Sequence, residues 1–357
     1  MTLKEIAKQA GVSYSTVSRV LNNPDHVCSS EEIREKILKI ARENNYLPNQ
    51  AAKNLRNKIK FEEQKVYYIN VLVTLTGTTA MDPFFNEIIR NVESEIRKSS
   101  GILSQIWVKP IFSDDEKVCL YSYAQSLVDE IFEECTYQTD GLIIIGYCAA
   151  NVLKAIKSKC KNIIALNRTP TKMKVDEIVC DGRALANIAM EHLISLGHHN
   201  IAYVGQTRNE PKFIGYQETL AKHNLIQEID WIYNSQQREE NGFKIMEQIM
   251  QLEKKPSGIY CTNDIIAIGM LKYLQKKQHK NYHPSIISND DIKGAQYTSP
   301  MLTTVHIPYS EMASLAITLL IDRINGRHQS ALHLELNGSL IERGSCRYNS
   351  DALEYYI

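Results

Sequence analysis

Residues 2–22, TLKEIAKQAGVSYSTVSRVLN, hold two short helical patterns on either side of a glycine. Thr2 followed three residues later by Glu5 is a capping box, which predicts a helix beginning at Leu3. Leu3, Ile6, Ala7 and Ala10 then share one face at i, i+3, i+4 and i+7. Gly11 stops this helix, and Ser13 can cap a second over 14–21, whose Val17, Val20 and Leu21 turn back toward the first. Tyr14, Ser15, Thr16, Ser18 and Arg19 are left on the outside. Two short helices joined by a Gly-containing turn, the second with a polar outer face, form a helix-turn-helix. An ordinary helical hairpin also has an apolar face and a glycine turn, so the pattern alone leaves both readings open.

The string AKQAGVSYSTVSRVLNN at 7–23 separates them, because it resembles the amino-terminal signature of the LacI/GalR family of bacterial repressors. The resemblance implies binding of duplex operator DNA, with Thr2, Tyr14, Ser15, Thr16, Ser18, Arg19 and Asn22 at the DNA surface. Ser29, Glu31 and Glu32 open a third helix whose Ile33, Ile37, Ile40 and Ala41 cover the hairpin, and Tyr46-Leu47-Pro48-Asn49 ends it. Asn49 is a good cap for the run 50–58, yet that run is too short to be a stable helix by itself. Its plain reading is a polar linker. The family places here a hinge helix that pairs across a dimer and pushes a leucine into the minor groove. Asn49, Ala52 and the wedge Leu55 carry that expectation.

Charge supports the division. The chain is neutral overall, with 41 Lys and Arg against 41 Asp and Glu, but residues 1–60 carry 11 against 6. The basic surplus at the amino end suits phosphate contacts that set register and make binding salt-dependent. At 357 residues and 43% hydrophobic content there is chain for one small head and a larger α/β body. The start runs into a capped helix and no apolar run approaches the length of a membrane span, so a cytoplasmic protein without membrane contact is expected. The eight cysteines show no C-x-x-C spacing and read as reduced thiols, with no metal site and no cofactor expected.

From residue 66 onward short β-branched runs alternate with amphipathic helices. Strands are expected at 67–74, 103–108, 141–145, 162–166, 178–180, 200–204, 258–261, 285–288 and 303–307, with helices such as 85–98, 117–135, 184–196, 242–252, 265–275 and 309–324 between them. Strict alternation implies parallel sheets flanked by helices, and the strand number suffices for two. Ligands in such folds sit beyond the carboxyl ends of strands, which for two lobes is the cleft between them. The strings Asp82-Pro83-Phe84-Phe85, 196–202, 263–269 and 300–305 are similar to recurring motifs of LacI/GalR cores. The fold class is therefore an all-α helix-turn-helix head plus an α/β two-lobed core like the periplasmic binding proteins. The expected domains are a head at 1–48, a hinge and linker at 49–61 and an effector-binding and dimerisation core at 62–357. By analogy the amino lobe takes about 62–168 and 295–323, and the carboxy lobe about 169–294 and 324–357.

Asp82-Pro83-Phe84-Phe85 and Ser288-Asn289-Asp290-Asp291-Ile292 most resemble galactose-type repressors and the repressor of the evolved β-galactosidase, which implies galactose or a galactoside as effector. A sugar has hydroxyls that want carboxylates and amides, and C–H faces that want a flat ring. The candidate effector residues are Asp82, Phe84, Phe85, Arg168, Lys212, Asn263 and Asp290. Each has a plainer reading. Phe84 or Phe85 could be core, Asp264 a helix cap, Asp291 a residue that only orders its loop, and Arg168 a surface charge. One departure stands out, since the family commonly has arginine where Lys212 precedes Gly215-Tyr216, and lysine lacks the bidentate fork. No leucine heptads follow Arg347, so a homodimer is expected rather than a tetramer.

An enzyme on the same fold is the main alternative of another class. No two glycines stand two apart, which rules out G-x-G-x-x-G, and neither a P-loop nor G-x-S-x-G occurs. His279 and His283 have a metal-like interval but lie in the charged stretch KKQHKNYHP without a third ligand. A third reading keeps DNA binding and replaces the sugar by a phosphoprotein co-effector, as in the catabolite-control branch of the family.

Overall fold

The computed structural model describes residues 3–22, 31–43, 66–74, 83–112, 123–135, 139–166, 174–208, 210–277 and 282–349. The chain divides into two compact units, Met1–Lys65 and Val66–Ile357.

The first unit holds three helices, α1 (Leu3–Ala10), α2 (Tyr14–Asn22) and α3 (Glu31–Glu43). Gly11 has φ +73°, the left-handed conformation that closes a helix, and it makes the turn before α2. Ser13 caps α2 through Thr16 N–H donating to its Oγ at 3.2 Å. Ile6, Val17 and Ile37 are fully buried, one from each helix, with Ala7, Ala10, Val20 and Ala41 packed around them. This is the apolar face expected from the i, i+3, i+4 spacing.

The second unit contains two six-stranded sheets. The strands, in chain order, are β1 (Tyr67–Val73), β2 (Gly101–Val108), β3 (Gly141–Ile145), β4 (Ile163–Leu166), β5 (Asp176–Val179), β6 (Ile201–Gly205), β7 (Ile232–Asn234), β8 (Gly258–Cys261), β9 (Ser285–Asp290), β10 (Thr303–His306), β11 (His333–Glu335) and β12 (Ser339–Ile341). The first sheet runs β11-β5-β4-β3-β1-β2 and the second β12-β10-β9-β8-β6-β7. All pairings are parallel except β10 with β12. Strands covered on both faces read as unbroken apolar runs, as GLIII in β3 and IIAL in β4 do.

The covering helices are α4 (Pro83–Lys98), α5 (Ala124–Glu133), α6 (Ala150–Lys159), α7 (Gly182–Ser195), α8 (Pro211–Lys222), α9 (Glu239–Met250), α10 (Asp264–Lys277) and α11 (Tyr309–Ile324). Alternation along the strands sorts them into layers. Val71, Ile143 and Ile145 pack in one cluster with residues of α4 and α11, while Leu72, Leu142 and Ile144 pack in another with residues of α5 and α6. In the second sheet Tyr203 and Tyr260 share a cluster with α7 and α8, whereas Val204 and Ile259 share one with α9 and α10. The cluster on α4, α11, α7 and α8 is continuous across both lobes.

Strand pairing divides the lobes differently from the expected limits. β5 at 176–179 and β11 at 333–335 belong to the first sheet, while β10 at 303–306 belongs to the second. The chain therefore crosses near 180–181, 307–308 and 336–338, not at 168, 294 and 323. The buried Asp176 gives the physical reason. Its carboxylate takes hydrogen bonds from Arg323 Nε (2.6 Å), the Leu332 N–H (2.9 Å) and His328 Nε2 (2.9 Å), which bind β5 to the end of α11 and to the segment before β11. Burial alone would raise its pKa, but these hydrogen bonds hold it below the usual carboxylate range.

Candidate functional site

Two sites emerge, one in each unit. In the head, α2 keeps Val17 and Val20 against the core and leaves Tyr14, Ser15 and Arg19 exposed. Thr16 and Ser18, expected on the same outer face, are half-buried. Thr16 is drawn into the cap, with its Oγ1 2.8 Å from the Ser13 hydroxyl. Among the described residues no acceptor pairs with the Arg19 guanidinium, so its donors are available to a ligand. Thr2, Asn49, Ala52 and Leu55, together with the Asn22 side chain, lie outside the described residues.

The core site lies beyond the carboxyl ends of the second sheet. β9 ends at Asp290, and Asp290 and Asp291 have φ +110° and +55°, a turn that L residues rarely make twice in succession. The turn sends the two carboxylates to different partners. Asp290 is 7% exposed and its Oδ1 lies 3.7 Å from Lys212 Nζ at the start of α8. Lys212 is itself 3% exposed and donates to the Thr262 carbonyl at 2.7 Å, beside Asn263. The structure thus brings together Lys212, Asn263 and Asp290 from three separate strand ends.

Asp291 takes hydrogen bonds from Arg343 at 2.5 Å and His306 at 3.1 Å. Burial opposes its charge, but these two partners keep its pKa below the ordinary value. It orders the loop, as its plainer reading held.

The capping role expected of Asp264 falls to Asn263. Asn263 Oδ1 accepts from Ile266 N–H at 3.1 Å and so caps α10, which leaves its amide nitrogen as the group for a ligand. Asp264 is fully buried and collects the Ser288 hydroxyl (2.5 Å), the Thr304 hydroxyl (2.7 Å) and the Ile292 N–H (2.8 Å). Burial, outweighing these bonds, pushes its carboxyl up to about 6. It is a structural knot joining β9, β10 and α10, where a simple cap was expected.

From the first lobe, Phe84 and Phe85 are both in the hydrophobic core, 6% and 7% exposed, with ring centroids 5.0 Å apart. Both follow the plainer reading as core residues. Phe84 also meets the ring of Tyr309 edge-on at 6.3 Å. Tyr309, half-buried at the start of α11, was missed by sequence reasoning. Its hydroxyl pKa is raised by burial and then by the carboxylates of Glu87 in the first lobe and Asp291, Asp264 and Asp290 in the second. The signal that could have found it is position, just past the carboxyl end of β10. An ion pair joins the lobes beside it, Lys293 Nζ to Glu87 Oε1 at 3.3 Å. Asp82 and Arg168 lie outside the described residues.

No group of three or more His, Cys, Asp or Glu that could hold a metal ion occurs among the described residues, and His279 lies outside them. The six described cysteines are free. No described helix is long and apolar enough to cross a membrane.

A helix-turn-helix head followed by a two-lobed α/β core is the architecture of a DNA-binding regulator. Residues 2–49 match the model of bacterial regulatory proteins of the lacI family, and residues 190–346 match that of the periplasmic binding protein-like domain. The chain is 26% identical over 354 residues to the HTH-type transcriptional repressor PurR of Mannheimia succiniciproducens, covering 97% of this chain and 98% of that one. It is 28% identical over 354 residues to the HTH-type transcriptional repressor CytR of Escherichia coli K12, covering 97% and 96%. Its fold matches that of the transcriptional regulator CelR in complex with cellobiose, with TM-score 0.66 and 19% identity over 97% of this chain and 100% of that one. Over its first 49 residues the chain is thus similar to the lacI family of bacterial regulatory proteins, and over 190–346 to the periplasmic binding protein-like domain. The two relatives carry the names PurR and CytR, not those of galactose-operon repressors, and lend no support to the expected galactoside specificity.

Proposed function

We propose that this protein is a repressor that binds operator DNA through α2 and is released when a neutral, polyhydroxylated ring compound enters the cleft between its lobes. The pairing of Lys212 with Asp290 carries the reading, because it places two polar groups in the cleft while cancelling their charge. Asp290 accepts from ligand hydroxyls, Lys212 donates once, the Asn263 amide donates beside it, and Phe84 and Tyr309 form the flat side. Single-point donation by Lys212 replaces the fork that arginine would supply.

A galactoside is the first candidate. A nucleoside is the second, since its ribose has the same hydroxyls and its flat base suits the rings of Phe84 and Tyr309. The functional unit is a homodimer. β2, the edge of the first sheet, exposes Ile106 and Val108 on one face and, across a bulge, Ile102 on the other, an apolar edge that a second copy would cover.

The test is release of an operator duplex by galactose, lactose and adenosine, each also titrated calorimetrically. Effector and operator weaken one another by the same factor, typically about 5 to 150-fold. Asp290→Ala loses a charge-assisted acceptor and about 1.5–3 kcal/mol of effector binding, while operator affinity without effector stays unchanged. A variant released at the parent's effector concentration removes Asp290 from the cleft. If no neutral compound releases the parent, the co-effector is of another kind, and a phosphoprotein becomes the reading to pursue.

A further inference from the structure

The first lobe contains a second polar cavity, of about 210 Å³, lined by Lys157, Lys161, Lys174, Arg323 and Gln329. These residues come from the end of α6, the start of β4, the segment before β5, and the end of α11. Among the described residues no carboxylate lines it. Asp176, next in sequence to the lining residue Val175, is fully buried and bonded to Arg323 and His328, and no ion pair with a carboxylate joins the three lysines among the described residues.

Two of the cations are held in place. Lys157 Nζ donates to the Lys174 carbonyl at 2.8 Å, and Arg323, fixed on Asp176, also donates to the carbonyls of Gln329 (3.3 Å) and Ser330 (3.0 Å). Lys161 and Lys174 are exposed and have no acceptor among the described residues. Solvated lysines on a surface ordinarily stand among carboxylates; here they converge on a concave site without one.

The position separates this cavity from the effector cleft. All strands of the first sheet are parallel, and the cavity lies at the amino ends of β4 and β5, whereas the cleft lies beyond carboxyl ends. The same edge holds the start of β1, where Asn325 Nδ2 donates to the Tyr67 hydroxyl at 2.9 Å, two residues past Arg323.

We propose that this cavity is an anion site that takes a phosphate group. Three ammonium groups match a tetrahedral dianion, which accepts several hydrogen bonds from different directions, better than they match a planar monoanion. The group can come from free phosphate or a phosphate ester, or from a nucleic-acid backbone, and the experiment separates these sources. Full-length protein is titrated with inorganic phosphate against chloride at matched ionic strength, by calorimetry and by thermal melting. The comparison is Lys161→Gln/Lys174→Gln, two exposed positions whose replacement leaves the Asp176 knot intact.

The expected result is one phosphate bound per chain, a melting temperature that rises with phosphate, and affinity lowered about tenfold or more in the variant. In a phosphate-free buffer, operator affinity is then measured against salt for both proteins. A slope smaller by about 2 in the variant assigns the site to the DNA backbone instead of a free anion. Phosphate binding equal in the two proteins, or absent from both, with equal salt slopes, overturns the proposal. The outcome is independent of whether a neutral compound occupies the cleft.

Discussion

The recognition helix and the interlobe cleft treat charge in opposite ways. On α2, Arg19 is exposed with no protein acceptor among the described residues, in a segment, 1–60, with 11 basic residues against 6 acidic. In the cleft, Lys212 and Asp290 are almost wholly buried and paired with each other. The difference teaches what each surface is built to meet. On the function proposed above, a polyanion neutralises the head from outside, at a cost in salt sensitivity, whereas the cleft neutralises itself and leaves only directional hydrogen bonds for a ligand.

The largest expected effect that sharpens this contrast is on stability. The core's buried carboxylate Asp264 has its pKa at about 6, above the roughly 3.9 of an unfolded aspartate. The folded state then binds the proton more tightly, so its contribution is full below about pH 4 and is lost as pH rises through about 6. The loss approaches about 3 kcal/mol, two units at about 1.4 each. Denaturant unfolding of Asp264→Asn between pH 4 and 8 should lack this downward step, and a step that persists would place its origin elsewhere.

A smaller effect belongs to the head. Arg19 can bond a guanine through two donors, so Arg19→Ala should cost about 1–3 kcal/mol of discrimination between operator and random duplex at fixed salt. Unfolding of the core should be untouched. Unchanged preference would remove α2 from base reading.

Much of this architecture was legible because its periodicity is strong. The helix-turn-helix follows from Leu3 to Leu21, and β3, β8 and α11 have the limits read from the chain. The strands not foreseen are β7, β11 and β12, three residues each, with no buried position among them to give an apolar run. Their lobe assignments depend on pairing partners far away in sequence, as His333 with Glu177 in the first sheet and Ser339 with His306 in the second. The crossings shifted for that reason.

The site was legible as strand ends but not in its division of labour. Lys212, Asn263 and Asp290 fall on strand-end positions that the topology rule selects. Which of Asn263 and Asp264 faces inward was decided by Ser288 and Thr304, which have no sequence proximity to either. Tyr309 was read only as the first residue of a helix, since nothing local marks it as the partner of Phe84.

The claim that the core cancels its own charge while the head leaves its charge to DNA is tested most directly by two salt titrations of the parent protein. Operator affinity and affinity for the releasing compound, galactose, lactose or adenosine, are each measured from about 50 to 200 mM salt. The account predicts that operator affinity falls steeply, by about 0.9 logarithmic units per tenfold salt for each phosphate neutralised, while affinity for the neutral compound stays flat. An effector affinity that falls as steeply as the operator's would contradict it.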